Sequence, residues 1–336
     1  MKKAYLYHQL DQKKVKCDLC RQGCIISPGQ KGLCGVRKNI DGELYSLNYA
    51  QAMAANIDPV EKKPLYHFLP GSRAFSIGAA GCNFSCKFCQ NWQSSQITKG
   101  KSGKVIGEFF PSEEVVQAAL QYNCPSIAYT YTEPTVFFEY ALDTAKLAKK
   151  KGLKNIFVSN GYETKQAINE LVKVIDAINF DLKAFTNNFY QEICGAKLEP
   201  VLDAIRYTYE QGIWIELTTM IIPGKNDDEA ELKKLTEFIA KLDPTIPWHV
   251  TRFIPQYKML DVKTTPLETM KKAAKIGRDA GLNYIYLGNV NDDEYLHTIC
   301  PQCQQKVIDR TNYRGESNLD ENVCPYCGYE IEGVFA

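Results

Sequence analysis

Three cysteines in one short stretch are the first residues of the chain whose types and spacing could do chemistry. Cys82, Cys86 and Cys89 lie in GAAGCNFSCKFCQNW, residues 78–92, and Phe88 directly precedes the last of them. A structural zinc ion usually takes four protein ligands, whereas a [4Fe–4S] cluster held by three thiolates leaves one iron open to an exogenous ligand. The absence of a fourth cysteine therefore favours an iron–sulfur site over a zinc knuckle.

Two outer groups of four cysteines indicate further metal sites. One group has the paired CxxC spacing of a zinc ribbon and comprises Cys300, Cys303, Cys324 and Cys327. Rubredoxin-like iron is the alternative there, because sulfur ligands alone do not distinguish the two metals. The other group lies within eighteen residues and comprises Cys17, Cys20, Cys24 and Cys34. For that group we predict structural zinc, with an auxiliary iron–sulfur cluster as the alternative.

Composition limits the classes of protein to which the chain can belong. Of its 336 residues, 45% are hydrophobic and 24% are charged, and the net charge is +1. The apolar runs are too short to span a membrane, and the near-neutral charge argues against a nucleic-acid-binding surface. The basic N-terminus lacks the apolar segment of a secretory signal, so we expect a cytoplasmic protein.

From about residue 73, short apolar runs alternate with amphipathic segments, which predicts an α/β fold with a parallel sheet. The predicted strands are 73–78, 126–131, 155–159, 177–183, 213–222, 248–254 and 283–287. Predicted helices begin at Ser112, as a capping residue, and at Pro134, and others lie near 164–173, 199–211, 227–241 and 266–280. Periodicity alone leaves open whether the sheet is doubly wound or a barrel.

Polar residues at the carboxyl ends of the predicted strands indicate one central site, because parallel α/β folds carry their chemistry at that end. They occur in TYTEPT (130–135), SNGY (159–162) and NFDLKAF (179–185). Asp181 and Lys183 share a strand face, where a charged pair needs either a ligand or mutual pairing. Glu216 and Thr218 share a face of the next strand.

Several isolated residues have both a functional and a structural interpretation. Cys194, in CGAKLEP, is a candidate functional thiol or a packed loop residue. His67, in KPLYHFLPGS, either covers the cysteine loop or is a hydrogen-bonded structural histidine. His249 and Arg252 are candidates for substrate contact.

The CxxxCxφC loop after the first strand of an α/β repeat resembles the signature of the radical S-adenosylmethionine (SAM) superfamily. The chain further resembles the branch of pyruvate formate-lyase activating enzymes through TYTEPT, SNGY, DLKAF and IIPGKND (221–227). It is most similar to the AmmeMemoRadiSam radical SAM proteins, through CDLCRQGC…GLCGVR, KPLYHFLPGS, YTYTEPT, CGAKLEPVLDAI and CPQC…CPYCG. This resemblance extends over essentially the whole chain.

The resemblance implies a role for individual residues. Cys82, Cys86 and Cys89 would hold a [4Fe–4S] cluster whose fourth iron binds SAM. Residues expected to contact SAM are Phe88, Tyr131, Glu133, Ser159, Asn160, Asp181 and Lys183. Glu133 occupies the acidic position of the family's Gly-Gly-Glu motif, but Tyr131 and Thr132 replace the two glycines. Tyr257 stands where the activating enzymes have a histidine.

The resemblance also implies an architecture of three parts. We expect an N-terminal metal-binding segment with four cysteine ligands (1–70), a partial (β/α)6 TIM-like radical SAM barrel (71–295) and a C-terminal zinc ribbon (296–336). The implied cofactors are the [4Fe–4S] cluster, SAM and zinc.

The implied activity is reductive cleavage of SAM to a 5′-deoxyadenosyl radical, which takes hydrogen from a substrate. We expect a protein substrate, partners of the Memo and AMMECR1 type, and a low-potential electron donor. A glycyl-radical enzyme activase is one alternative. A non-catalytic zinc scaffold or RNA-binding adaptor is another, which the lack of a dense basic stripe disfavours.

Overall fold

The computed structural model describes residues 1–100, 103–290, 292–311 and 315–335. Its N-terminal part forms two small antiparallel sheets, ordered β1-β6-β5 and β2-β3-β4. Their strands are β1 (Lys2–Lys3), β2 (Tyr7–Gln9), β3 (Val15–Cys17), β4 (Ile25–Ile26), β5 (Arg37–Ile40) and β6 (Glu43–Ser46). These short strands carry the cysteines of the N-terminal group on or beside them.

A nine-stranded sheet forms the centre of the molecule, in the order β15-β14-β13-β12-β11-β10-β8-β7-β9. Its strands are β7 (Gln51–Pro59), β8 (Arg73–Ala79), β9 (Glu108–Phe109), β10 (Ser126–Tyr129), β11 (Lys154–Ser159), β12 (Ala177–Asp181), β13 (Trp214–Ile221), β14 (Trp248–Arg252) and β15 (Ile285–Gly288). The neighbours from β8 to β15 pair in parallel, and β7 pairs antiparallel with β8 and β9. The seven predicted strands and their parallel arrangement are therefore confirmed.

The parallel strands follow one another in chain order without the reversal that defines a doubly wound sheet. Helices of the described chain are α1 (Trp92–Ser95), α2 (Ser112–Gln121), α3 (Phe138–Lys150), α4 (Lys165–Leu171), α5 (Asn187–Phe189), α6 (Leu198–Glu210), α7 (Glu229–Leu242) and α8 (Leu267–Asp279). Alternate strand residues bury against these helices in one core that contains Phe75, Ile127, Phe157, Phe180, Leu217 and Val250. The sheet is therefore wound in one direction, with these helices on one face.

The opposite face of the sheet is covered at the amino ends of its strands by residues 60–69. Leu65 and Phe68 are fully buried in a separate apolar cluster that includes Ala74, Ala128, Ile156 and Ala177. The side-chain amide of Asn179 also donates to the carbonyl oxygen of Pro64 at 2.7 Å. The segment between β7 and β8 thus fills this end of the face, and β7 itself joins the central sheet.

Glu216 on β13 is the centre of a buried polar network. Its carboxylate accepts hydrogen bonds from the main-chain N–H groups of Tyr66 (2.9 Å) and His67 (2.8 Å) and from the indole of Trp214 (3.1 Å). Nε2 of His249 lies 2.6 Å from its second oxygen. Burial opposes ionisation of this carboxyl, but His249, His67 and the amide donors lower its pKa below the usual value.

The C-terminal segment packs against the same region and forms a three-stranded antiparallel sheet of β16 (Thr298–Ile299), β17 (Lys306–Asp309) and β18 (Glu316–Ser317). The fully buried Arg310 donates to the carbonyl of Tyr66 at 2.5 Å and to the hydroxyl of Thr298 at 2.8 Å. Its guanidinium lies 4.3 Å from the Tyr66 ring centroid. This arginine therefore joins the C-terminal segment to residues 60–69.

We expect Glu216→Ala to lower the free energy of unfolding by about 3–5 kcal/mol, because it leaves buried donors and His249 without their partner. The measurement is the shift of the urea unfolding midpoint, followed by tryptophan fluorescence. Glu237→Ala, on the exposed side of α7, is the matched control and should change stability by less than about 0.5 kcal/mol. Equal shifts for the two variants would contradict the role given to Glu216.

Candidate active site

The cysteine loop begins directly after β8, at the carboxyl end of the sheet. Gly81 adopts φ +112°, and a Cβ there would lie 2.9 Å from a methyl carbon of Val36. A glycine is therefore required immediately before Cys82. The loop is fastened to the segment after β12, because Ser85 N–H donates to the carbonyl of Cys194 at 2.8 Å, and Lys87 N–H to that of Ile193 at 2.9 Å.

The three cysteines of this loop pack on the apolar core, and the thiols of Cys82 and Cys89 also lie next to polar groups. The Cys89 sulfur lies 3.2 Å from the Ser95 hydroxyl, and the Asn160 amide nitrogen lies 3.9 Å from the Cys82 sulfur. Burial raises the pKa of Cys82 and Cys89, so without a bound cation both thiols are neutral at pH 7. A metal cluster would ionise them and remove that cost, which is why these residues fit an iron–sulfur group.

Two buried amides beside Cys82 lack hydrogen-bond partners on one atom each. Asn160 donates to the side-chain oxygen of Asn83 at 2.7 Å, while Asn83 Nδ2 and Asn160 Oδ1 have no partner among the described residues. Unsatisfied buried polar atoms are rare in folded proteins because each one costs free energy. A polar ligand bound beside Cys82 would satisfy them, so the surroundings also fit a zwitterionic cofactor such as SAM.

Glu133 and Glu163 form a buried carboxyl pair next to these amides. Oε1 of Glu133 accepts from Thr135 N–H, from its hydroxyl and from the Ser159 hydroxyl, at 2.7–3.0 Å. Glu163 accepts from the same two hydroxyls. Oε2 of Glu133 accepts from the N–H of Asn160 at 2.9 Å and retains capacity for a further donor. Burial, and then Glu163, raise the pKa of Glu133 to about 7.

Tyr131 occupies the backbone conformation that its glycine counterpart would favour. Its φ is +69°, in the left-handed region, and its carbonyl accepts from the Asn91 amide. Its hydroxyl donates to Asp58 at 2.5 Å, and Lys63 also binds Asp58, at 2.6 Å. The side chain is therefore held by residues 58–63, and the main chain of Tyr131 is what lies next to the loop.

Asp181 and Lys183 pair with each other at 2.7 Å at the end of β12. Burial opposes the charge of Lys183, but Asp181 and the nearby Cys86 and Cys194 raise its pKa well above the usual value. Its ammonium lies 5.7 Å from the ring centroid of Phe88, which connects this ion pair to the cysteine loop. Asp181 and Lys183 thus pair with each other and also lie close to the cysteine loop.

Cys194 ends a short π-helical turn, Tyr190–Cys194, against the cysteine loop. Of the two interpretations of Cys194, the packed residue fits its complete burial, and the functional thiol does not. A hydrogen bond between the Cys86 thiol and Cys194 is the first cause of the raised pKa of Cys86, so the two sulfurs are neighbours. Cys194 therefore supports the loop through its carbonyl and thiol.

The histidines considered from the sequence are structural. His67 lies 2.6 Å from the Tyr286 hydroxyl and 2.7 Å from the Glu332 carbonyl, and burial lowers its pKa to about 4. His249 is buried and lies 2.6 Å from Glu216 in the same region. It is therefore not open to a substrate. Arg252 donates to the Thr265 carbonyl at 2.8 Å. Tyr257 stacks on Trp92 with centroids 5.1 Å apart, next to the cysteine loop.

Sequence reasoning missed several residues of this region, notably Asn83, Asn91, Lys99 and Glu163. Glu163 directly follows SNGY, and its acidic side chain there was the one available signal. The other three belong to the loop and to the turn after α1, where no periodicity guides assignment. Their proximity follows from the path of the loop and not from spacing in the sequence.

The C-terminal cysteines form a compact set of four sulfurs, all within 4.8 Å of one another. Cys300 and Cys327 are 3.6 Å apart, as are Cys303 and Cys324. With metal–sulfur bonds of about 2.3 Å, a tetrahedral zinc site places its sulfurs roughly 3.8 Å apart. These four residues can therefore hold one metal ion without rearrangement.

The described residues contain no helix of the length and apolarity that a bilayer span requires.

Comparison with known proteins identifies the family. Residues 76–236 match the family model described as the radical SAM superfamily. An uncharacterized protein of Methanocaldococcus jannaschii is 40% identical over 338 residues, covering 99% of this chain and 100% of the relative. Pyruvate formate-lyase 1-activating enzyme of Escherichia coli is 22% identical over 221 residues, covering 62% of this chain and 89% of the relative.

A solved structure of a radical SAM methyltransferase from Sphaerobacter thermophilus shares the fold, with a TM-score of 0.51 at 15% identity. The match covers 66% of this chain and 68% of that one. The loop of three cysteines at the carboxyl end of a parallel sheet, the family match and the relatives agree. The chain is an enzyme of the radical SAM superfamily, related to the pyruvate formate-lyase activating enzymes.

Proposed function

We propose that this enzyme cleaves SAM reductively and uses the product radical to modify a protein. The observation that carries the proposal is the three-thiol loop after β8, which lies beside the unpartnered amide atoms of Asn83 and Asn160. Three thiolates with unsatisfied polar atoms beside them suit a cluster whose open iron binds a polar ligand. The one-directional winding of the sheet also supports the partial-barrel architecture proposed for the central part.

The residues proposed to hold the cofactors come from four neighbouring strands. Cys82, Cys86 and Cys89 would hold the [4Fe–4S] cluster. Glu133 would accept a hydrogen bond from the methionyl ammonium of SAM through Oε2, and Ser159 and Asn160 hold that carboxylate in place. Residues proposed to line the remainder of the SAM site are Phe88, the main chain of Tyr131, Asp181 and Lys183.

When bound, the cofactors would supply one-electron cleavage of the sulfonium to methionine and a 5′-deoxyadenosyl radical that takes a hydrogen atom from the substrate. The chain orients and shields this chemistry. Phe88 is buried against Phe189, with ring centroids 6.1 Å apart, and so excludes water on one side of the loop. The Asp181–Lys183 pair fixes charge beside Cys86, where the low dielectric strengthens its effect.

We further propose a cytoplasmic enzyme that draws on a low-potential electron donor. Partners of the Memo and AMMECR1 type are proposed on the family resemblance, and the C-terminal zinc ribbon is proposed on the sulfur spacing of its four cysteines.

A glycyl-radical enzyme activase is the second candidate function. It is favoured by similarity to a putative glycyl-radical enzyme activating enzyme of M. jannaschii, 26% identical over 215 residues.

The test is anaerobic incubation of the cluster-loaded protein with dithionite and SAM, with 5′-deoxyadenosine and methionine measured by mass spectrometry. Formation of both products supports the proposal. Their absence from a sample with a full iron and sulfide complement would overturn it in favour of a non-catalytic scaffold. Adding a glycyl-radical enzyme and recording the glycyl radical by electron paramagnetic resonance separates the activase from other protein modifications.

SAM affinity should rise with pH, because the charged form of Glu133 binds an ammonium group and its pKa is about 7. We expect roughly tenfold tighter binding at pH 8 than at pH 6, measured by equilibrium dialysis without reductant. Glu133→Gln should remove this dependence. Glu163→Gln should move it to lower pH, since the neighbouring carboxyl raises the pKa of Glu133. A pH dependence that persists in Glu133→Gln would assign the titration to another group.

A further inference from the structure

The four N-terminal cysteines surround a single cavity but do not converge as a zinc site does. Cys17, Cys20, Cys24 and Cys34 line this cavity together with Arg37. All four lie in the described part of the chain, yet no three of them place their sulfurs within 4.8 Å of one another, which the C-terminal cysteines do. Ligands that share one zinc ion must lie close together, because each bond is only about 2.3 Å long.

The cysteine loop of the same chain can be compared with the N-terminal group. Cys82, Cys86 and Cys89 are also fully described, and their sulfurs likewise do not lie within 4.8 Å of one another. In a four-iron cluster each thiolate binds a different iron, so the sulfurs are farther apart than ligands of one ion. The N-terminal group therefore lacks the close approach of sulfurs seen in the C-terminal zinc-like site, as does the cysteine loop.

The surroundings of the cavity suit an anionic group. Arg37 is 2% exposed and pairs with Glu139 at 2.7 Å, but its Nε has no partner among the described residues. A guanidinium held at the wall of a cavity with four thiolates offsets part of their charge, and the free Nε can donate to a sulfur. A disulfide or reduced thiols would be neutral, so the guanidinium of Arg37 would have no thiolate charge to offset.

The cavity lies directly beside the proposed SAM site. Asn83, next to Cys82 in the chain, lines it, and the amide of Gln22 donates to the Asn83 carbonyl at 3.0 Å. Cys20 pairs with Glu163 through a backbone bridge. The Thr98 hydroxyl donates to the Cys34 carbonyl at 2.7 Å, and the adjacent Lys99 donates to the Ser85 hydroxyl at 2.9 Å, so these two residues join the two cysteine groups.

We propose that Cys17, Cys20, Cys24 and Cys34 bind a second [4Fe–4S] cluster instead of zinc. This proposal takes the alternative that the sequence left open in place of the predicted zinc. Clusters of this kind carry single electrons, and the position would put a carrier beside the loop that needs one electron for each SAM cleaved. The comparison with the loop of Cys82 depends on the proposed function, whereas the contrast with the C-terminal sulfurs does not.

The test uses the full chain, produced with ⁵⁷Fe and purified without oxygen, in a variant in which Cys82, Cys86 and Cys89 are all replaced by alanine. Metal analysis should then find about four irons and one zinc per chain, and Mössbauer spectra should show a four-iron cluster. About two zinc ions and no iron would overturn the proposal, as would one zinc and no iron. Because the loop ligands are absent, these outcomes do not depend on SAM cleavage.

Further replacement of Cys17 and Cys20 by serine should remove the remaining iron and leave the C-terminal zinc in place. Replacement of Cys124 by serine in the same background is the matched control, since this buried cysteine lies outside all three groups. Iron that persists without Cys17 and Cys20 would assign it to other ligands. If this variant does not fold, the metal content of the first variant still decides between iron and zinc.

Discussion

Cys86→Ala is expected to reduce formation of 5′-deoxyadenosine from SAM at least about a thousandfold, because two thiolates cannot hold a cluster that presents an open iron. Cys86 is the middle one of the three proposed ligands, it is buried next to Cys194, and the charge of Lys183 acts on it. Its loss should therefore remove the cluster as well as a ligand. The measurements are product formation under dithionite and the iron content of the same sample.

Cys124→Ala is the control for the loss of a buried thiol. Cys124 is 1% exposed and its sulfur is 3.9 Å from the carbonyl of Tyr122, outside the three cysteine groups. We expect this variant to retain wild-type SAM cleavage and iron content. SAM cleavage by Cys86→Ala at the rate of Cys124→Ala would show that the loop is not the cluster site.

Removal of the metal proposed at the four C-terminal cysteines should unfold the described part of the C-terminal segment and destabilise the structure around Glu216. Structural zinc contributes apparent binding energies of about 10–16 kcal/mol, which a segment with so small an apolar core cannot replace. Arg310 would then lose its hydrogen bonds to the Tyr66 carbonyl and the Thr298 hydroxyl. Hydrogen exchange should show loss of protection first in this segment and in residues 64–68, and later in β10 to β12.

Cys303→His and Cys303→Ser form a matched pair for this prediction. Histidine is a zinc ligand and should preserve both metal content and exchange protection, whereas serine should lower both. Cys303 is partly exposed, so the larger side chain can be accommodated at that position. Equal protection in the two variants at reduced zinc content would show that the segment folds without its metal.

The parallel strands could be predicted from the sequence because their signal is local. Runs such as Lys154–Ser159 and Trp214–Ile221 are apolar and rich in branched residues, and flanking turns set their ends to within a few residues. The order of the strands could not be predicted, because the same pattern fits a doubly wound sheet and a sheet wound in one direction. That choice depends on which face the helices cover, and this is a property of packing.

The details of the site were harder to predict from the sequence, because they too depend on packing. Ser112 was expected to cap α2, but Pro111 takes the capping position and the Ser112 hydroxyl accepts from Thr144 instead. Glu216 was expected at the central site, yet its carboxylate binds the main chain of residues 66–67. Nothing in local spacing indicates that a loop 150 residues away supplies these donors.

The segment of residues 60–69 has a consequence for how molecules reach the reacting centre. It seals the amino ends of the strands with Leu65 and Phe68 and is pinned from within by Asn179 and Glu216. In the described part of the chain, this segment thus covers the amino ends of the strands, and the cysteine loop lies at their opposite, carboxyl ends. We therefore expect a substrate of the proposed reaction to approach from the carboxyl ends of the strands.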